Sequence, residues 1–155
     1  MTSSTTRATS PVEWFIQPAP VRGHSILVAR LLVPLYFGTS PPGPAIAKEA
    51  CWLDTCAPLS VVPFHVHHQR LHWQRIPGIQ TTWSGQICDL GRIDFWLQID
   101  QPPYLWGPMS LLAKFPRSDP PGNAVPVLLG LEFFLAHQVE FQLLQPPRDG
   151  MILLP

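Results

Sequence analysis

Ala50-Cys51-Trp52-Leu53-Asp54-Thr55-Cys56-Ala57-Pro58-Leu59-Ser60-Val61-Val62-Pro63 sets one carboxylate between two apolar runs. Ala50 to Leu53 reads as a buried strand that Asp54-Thr55 ends. Cys56 and Ala57 are small enough for an immediate turn, and Val61-Val62 opens a second apolar segment. A carboxylate placed directly after a buried run costs free energy unless it is hydrogen-bonded or put to use. The pattern therefore presents Asp54 at the mouth of a β-sheet.

A second motif lies some seventy residues downstream. Val127-Leu128-Leu129-Gly130-Leu131-Glu132-Phe133-Phe134-Leu135 is an apolar strand, a glycine, and then an acidic-aromatic group that can start a helix. The ordered pair resembles the retropepsin-like aspartic proteases, whose active-site loop runs apolar-apolar-Asp-Thr/Ser-Gly-Ala-x-x-Ser. Leu53, Asp54, Thr55, Ala57 and Ser60 match that loop, and Cys56 stands where the family has glycine. The resemblance implies an all-β, closed acid-protease barrel half with one short C-terminal helix. It also implies roles: Asp54 as the catalytic carboxylate, Thr55 bonding across a dimer axis, Ala57 leaving room for substrate, and Ser60 orienting the carboxylate from behind, without touching it. Leu128, Leu129 and Gly130 would pack beneath the loop, with Gly130 letting backbones approach without a Cβ. If position 56 requires a positive φ, a cysteine there adds roughly 1–2 kcal/mol of strain.

Composition agrees with one β domain. The 155 residues are enough for a single core. Net charge is zero and only 13% of residues are charged, which leaves no electrostatic footprint for nucleic acid. Twenty prolines break long helices and suit many turns. Three cysteines (Cys51, Cys56, Cys88) cannot all pair within one chain, so a reducing, cytoplasmic setting is expected. No apolar run approaches the roughly 20 residues that span a bilayer, and no membrane partner is expected. The Ser/Thr-rich start reads as a disordered tail over residues 1–11, followed by one domain over 12–155. A hydrophobic content of 46% with so little charge leans toward self-association.

Along the chain, Val12 to Val21 is punctuated by prolines and reads as an edge segment at best. Ser25 to Phe37 is the first full strand; Gly38 to Pro44 is a turn, and Ala45 to Leu53 returns to Asp54. His65, His67, His68 and His72 share faces that would suit a metal. No cysteine or carboxylate completes the set within that cluster, so they are read as hydrogen-bonded or solvated, with no metal site. Trp73 to Ile87 lies where the family places its flap hairpin, with Ile79, Gln80, Thr81, Thr82 and Trp83 as the tip; an ordinary hairpin is the alternative. Gln86 to Ile99 alternates as a strand, with Gly91 as a turn or bulge and with Asp89, Asp94 and Asp100 facing solvent. Tyr104 to Phe115, Leu128 to His137 (strand, then short helix), Val139 to Leu144 and Met151 to Leu154 complete the set. By resemblance, the last of these would join a dimer sheet.

Peptide hydrolysis without a covalent intermediate needs one group to take a proton from water and one to give a proton to the carbonyl oxygen. Two neighbouring carboxyls do this because both cannot ionise at once. The chain offers one suitable carboxylate, so a two-fold homodimer would supply the pair. The expected function is an aspartic endopeptidase acting on peptide or protein substrates, with no cofactor. The alternative is a catalytically silent retropepsin-like dimer that binds peptides or serves structurally.

Overall fold

The computed structural model describes residues 7–43, 46–122, 124–143 and 149–155. Among the described residues, ten strands and two short helices follow in the order β1 (Thr9–Val21), β2 (His24–Phe37), β3 (Glu49–Leu53), β4 (Ser60–Val61), α1 (Phe64–His67), β5 (Gln74–Trp83), β6 (Gln86–Gln98) and β7 (Leu105–Pro116). They continue with β8 (Val127–Leu129), α2 (Leu131–His137), β9 (Glu140–Leu143) and β10 (Asp149–Leu153). Among the described residues, no helix is long and apolar enough to cross a membrane.

Neighbouring strands run β5-β6-β7-β4-β8-β3-β2-β1-β10-β9. A further antiparallel pairing of Leu35–Phe37 with Phe95–Leu97 joins β2 back to β6. That contact closes β6, β7, β4, β8, β3 and β2 into a six-stranded barrel, mixed because β3–β8 and β4–β7 are parallel. Val33, Leu35, Phe95, Leu97, Leu111, Phe115, Leu129 and Phe133 fill it, each fully or almost fully buried. The all-β expectation, with a closed barrel and a short C-terminal helix, holds.

Both terminal readings need correction. From Arg7 onward the start of the chain is held in place, so the expected tail over 1–11 does not extend that far; residues 1–6 lie outside the described set. Arg7 Nε donates to the Leu154 carbonyl at 2.9 Å, and Thr9 to Glu13 pair with Leu153 to Asp149. β1 is a full strand whose partners change along its length: Thr9 to Glu13 pair with β10 and Glu13 to Val21 with β2. Trp14 to Val21 is thus paired on one side alone, the edge position expected of that proline-punctuated segment. Pro18 and Pro20 sit farther along, past the last β10 pair, where a missing N–H removes no bond on that side. The strand expected over Met151 to Leu154 is already bonded to β1 and β9 of its own chain. It has no free edge to lend to a dimer sheet.

Distant partners hold His65, His67 and Asp89. Asp119 caps α1 from the long loop: Phe64 N–H donates to Oδ1 at 2.9 Å and His65 N–H to Oδ2 at 3.0 Å. The His65 Nδ1 also lies 2.9 Å from Oδ2. His67 is buried and donates from Nε2 to the Pro116 carbonyl at 2.9 Å, while the His68 ring stacks on Phe64. Asp89 does not face solvent unpartnered. Arg75 and Arg117 both bond it, at 2.6 and 2.9 Å, and the Arg117 hydrogen bond foremost holds its carboxyl below the usual range. Gly91 is not a turn: it sits within β6, paired with Arg75 and Ala113, and it borders the register shift of the β5–β6 ladder between Arg75 and Gln80. A Cβ on Gly91 would come 2.5 Å from the Trp73 ring, which stacks on Phe115 at 3.9 Å.

Candidate active site

Asp54 follows the last residue of β3, and β8 sets its position. Leu53 pairs with Leu129, and the Asp54 N–H donates to the Leu129 carbonyl at 2.9 Å. Beyond the loop the chain re-enters the barrel as β4, whose Val61 pairs with Leu128 from the other side. The two strands flanking the Asp54 loop thus enclose the strand of the second motif. Two stretches some seventy residues apart in sequence form one unit.

Three further bonds lock that unit. Leu131 N–H donates to the Ala57 carbonyl at 2.7 Å, Glu132 N–H to the Pro58 carbonyl at 3.2 Å, and Gly130 N–H to Ser60 Oγ at 3.0 Å. The first turn of α2 therefore spends its otherwise orphan N–H groups on the loop. Gly130 is buried so tightly that a Cβ would lie 2.6 Å from the Leu59 carbonyl carbon and 2.7 Å from the Ala57 oxygen. Its φ of −86° and ψ of −178° are open to any residue, so the glycine is there for space and not for conformation.

The carboxylate is half-buried. Its Oδ1 accepts the N–H of Cys56 at 3.0 Å and of Ala57 at 3.2 Å. Oδ2 has no hydrogen-bond partner among the described residues. The loop thus fixes one oxygen and leaves the other open. Ser60 is fully buried, and its hydroxyl accepts from the Gly130 N–H, so it braces the loop from behind and makes no hydrogen bond to Asp54. Thr55 and Cys56 are exposed at the turn. Cys56 is not among the positive-φ residues, so its Cβ carries no left-handed strain.

The hairpin assigned to the flap exists, but its tip lies elsewhere. Ile79, Gln80, Thr81, Thr82 and Trp83 belong to β5, and the turn is Ser84-Gly85 with φ of 49° and 77°. Both residues occupy the left-handed region that a tight two-residue hairpin demands. Thr82 offers its carbonyl to Lys114 Nζ at 2.9 Å. Within the described residues no hydrogen bond joins this segment to the Asp54 loop.

Sequence reasoning missed two groups near the site. Arg30 places its guanidinium 4.5 Å from the Trp52 ring centre, two residues before Asp54. Glu132 is half-buried, with Oε2 unpartnered; burial foremost raises its carboxyl, against the pull of His137 and Arg92. Neither contact had a local sequence signal. No family model matches the chain, and no curated protein matches it.

Proposed function

We propose that the chain is a retropepsin-like aspartic endopeptidase, active as a homodimer in which two Asp54 carboxyls activate a water. The observation that supports this reading is the interlock of the Asp54 loop with Gly130, which presents one carboxylate oxygen bound and one open. Two such loops meeting across a two-fold axis would bring two carboxyls within hydrogen-bond reach. The pair would hold one proton between them and titrate as a unit. One carboxylate then takes a proton from water as it attacks the peptide carbonyl, and the protonated partner gives its proton to the carbonyl oxygen. The Cys56 and Ala57 N–H groups keep each carboxyl aimed while its charge changes.

The test is cleavage of a denatured protein by wild type, Asp54→Asn and Cys56→Gly. Wild-type cleavage with a bell-shaped profile at acidic to neutral pH, reduced at least about 100-fold in Asp54→Asn, is the expected result. A second reading, a silent peptide-binding dimer, draws on the exposed Cys56 beside the carboxylate. Cleavage by Cys56→Gly alone would favour it as the state of the natural chain. Silence from all three proteins would end the protease reading.

A further inference from the structure

The hairpin of β1 and β2 outgrows the barrel. β1 pairs with β10 only as far as Glu13, and β2 pairs with β3 only from Leu32 onward. From residue 14 to residue 31 the two strands pair with each other alone, down to the Val21–His24 pair and an Arg22-Gly23 turn at φ of 48° and 81°. A two-stranded ribbon without further support is marginal in water.

This ribbon is also greasy. Directly opposed residues share a face. The pairs Ile16–Ala29, Pro18–Leu27 and Pro20–Ser25 therefore set Ile16, Pro18, Leu27 and Pro20 on one side. All four are exposed, with Ile16 at 48% and Leu27 at 74%. Ile26, on the other face, is 44% exposed.

Register says where the ribbon points. Leu32 lies opposite Trp52, so the next positions put Leu31 level with Leu53 and Arg30 level with Asp54. The stacking of Arg30 on Trp52 agrees with that level. Ala29 to His24 then extends past the Asp54 end of the barrel by about 20 Å, at about 3.3 Å per residue. In two copies meeting at their Asp54 loops, each ribbon would project toward the other barrel.

We propose that the β1–β2 ribbon is a dimerisation arm, which lays its face of Ile16, Pro18, Pro20 and Leu27 against the Asp54 end of a second copy of this chain. The proposal rests on the paired-carboxylate reading for its choice of partner. It explains why an exposed apolar ribbon stands at the one end of the barrel that lacks half of its site.

Sedimentation of the full chain across a dilution series tests it, comparing wild type, an Ile16→Glu/Leu27→Glu variant, and Ile46→Glu as an exposed control off the ribbon. The wild type is expected at twice 17.4 kDa. The ribbon variant should raise the dimer dissociation constant at least about tenfold, and the control should leave it unchanged. Hydrogen exchange on unmodified wild type gives a reading free of folding defects: amides of residues 14–31 should lose protection on dilution. A wild type that stays monomeric, or a dimer indifferent to both ribbon substitutions with ribbon exchange independent of dilution, overturns the arm. A dimer that needs the arm yet cleaves nothing sustains the arm and ends the protease reading. Asp54-dependent cleavage by a dimer indifferent to the ribbon does the reverse.

Discussion

Gly130→Ala is the sharpest probe of the interlock beneath Asp54. The backbone at Gly130 is extended, so alanine meets no conformational penalty, and the whole effect is steric. The new Cβ would lie 2.6 and 2.7 Å from the carbonyl carbon and oxygen of Leu59 and 2.7 Å from the carbonyl oxygen of Ala57. These are backbone atoms and cannot swing aside like the end of a side chain. Overpacking a dense site costs about 1–3 kcal/mol. Moving the loop away also strains the bonds Leu131–Ala57, Glu132–Pro58 and Gly130–Ser60, each contributing about 0.5–1.5 kcal/mol. The expected loss is about 2–5 kcal/mol, a large share of the about 5–15 kcal/mol typical of a domain. At about 2–4 °C per kcal/mol, the melting midpoint should fall by roughly 4–20 °C. Gly43→Ala is the control, because nothing lies within 4 Å of a Cβ there, and it should stay within about 0.5 kcal/mol of wild type. Urea unfolding followed by circular dichroism reads both variants. A Gly130→Ala protein as stable as the control would refute the claim that glycine is required for space.

Three further outcomes are expected. Ser60→Ala leaves the buried Gly130 N–H without its acceptor and should cost about 1–3 kcal/mol in urea unfolding. His67→Phe tests a pH-dependent term: burial foremost holds the folded imidazole below its ordinary 6.5, so the unfolded chain takes up the proton first as pH falls. That contribution to stability is present above about pH 6.5 and is lost on acidification through the folded value, so between pH 7.5 and 5.5 the wild type should lose more stability than His67→Phe. Titration with an aromatic disulfide should find Cys56 reacting rapidly in the native protein, with Cys51 and Cys88 reacting only after denaturation. Both of those thiols are buried, and burial raises them.

Local chemistry made much of this chain legible. The apolar run into Asp54-Thr55, the small residues that turn it, and the strand-Gly-helix order around Gly130 are short-range patterns, and β3, β8 and α2 lie where they predict. Proline density excluded long helices, and alternation from Gln86 onward marked β6. What failed depended on partners far along the chain. The prolines of β1 marked its Trp14–Val21 half as an edge, which it is, but the pairing of Thr9 to Glu13 with β10 from the far terminus had no local signal. Asp89 looked solitary because Arg75 and Arg117 stand fourteen and twenty-eight residues away, and Asp119 gave no sign that it would cap α1. Ser60 matched a motif, but that its hydroxyl meets the Gly130 N–H at 3.0 Å is decided by folding alone. The sequence by itself determined the elements and the turn that carries the carboxylate, because these follow from propensities and spacing within a few residues. Closure of β2 on β6, the partners of the buried polar groups and the projection of the β1–β2 ribbon belong to tertiary structure alone, because each depends on register between strands that only the folded chain brings together.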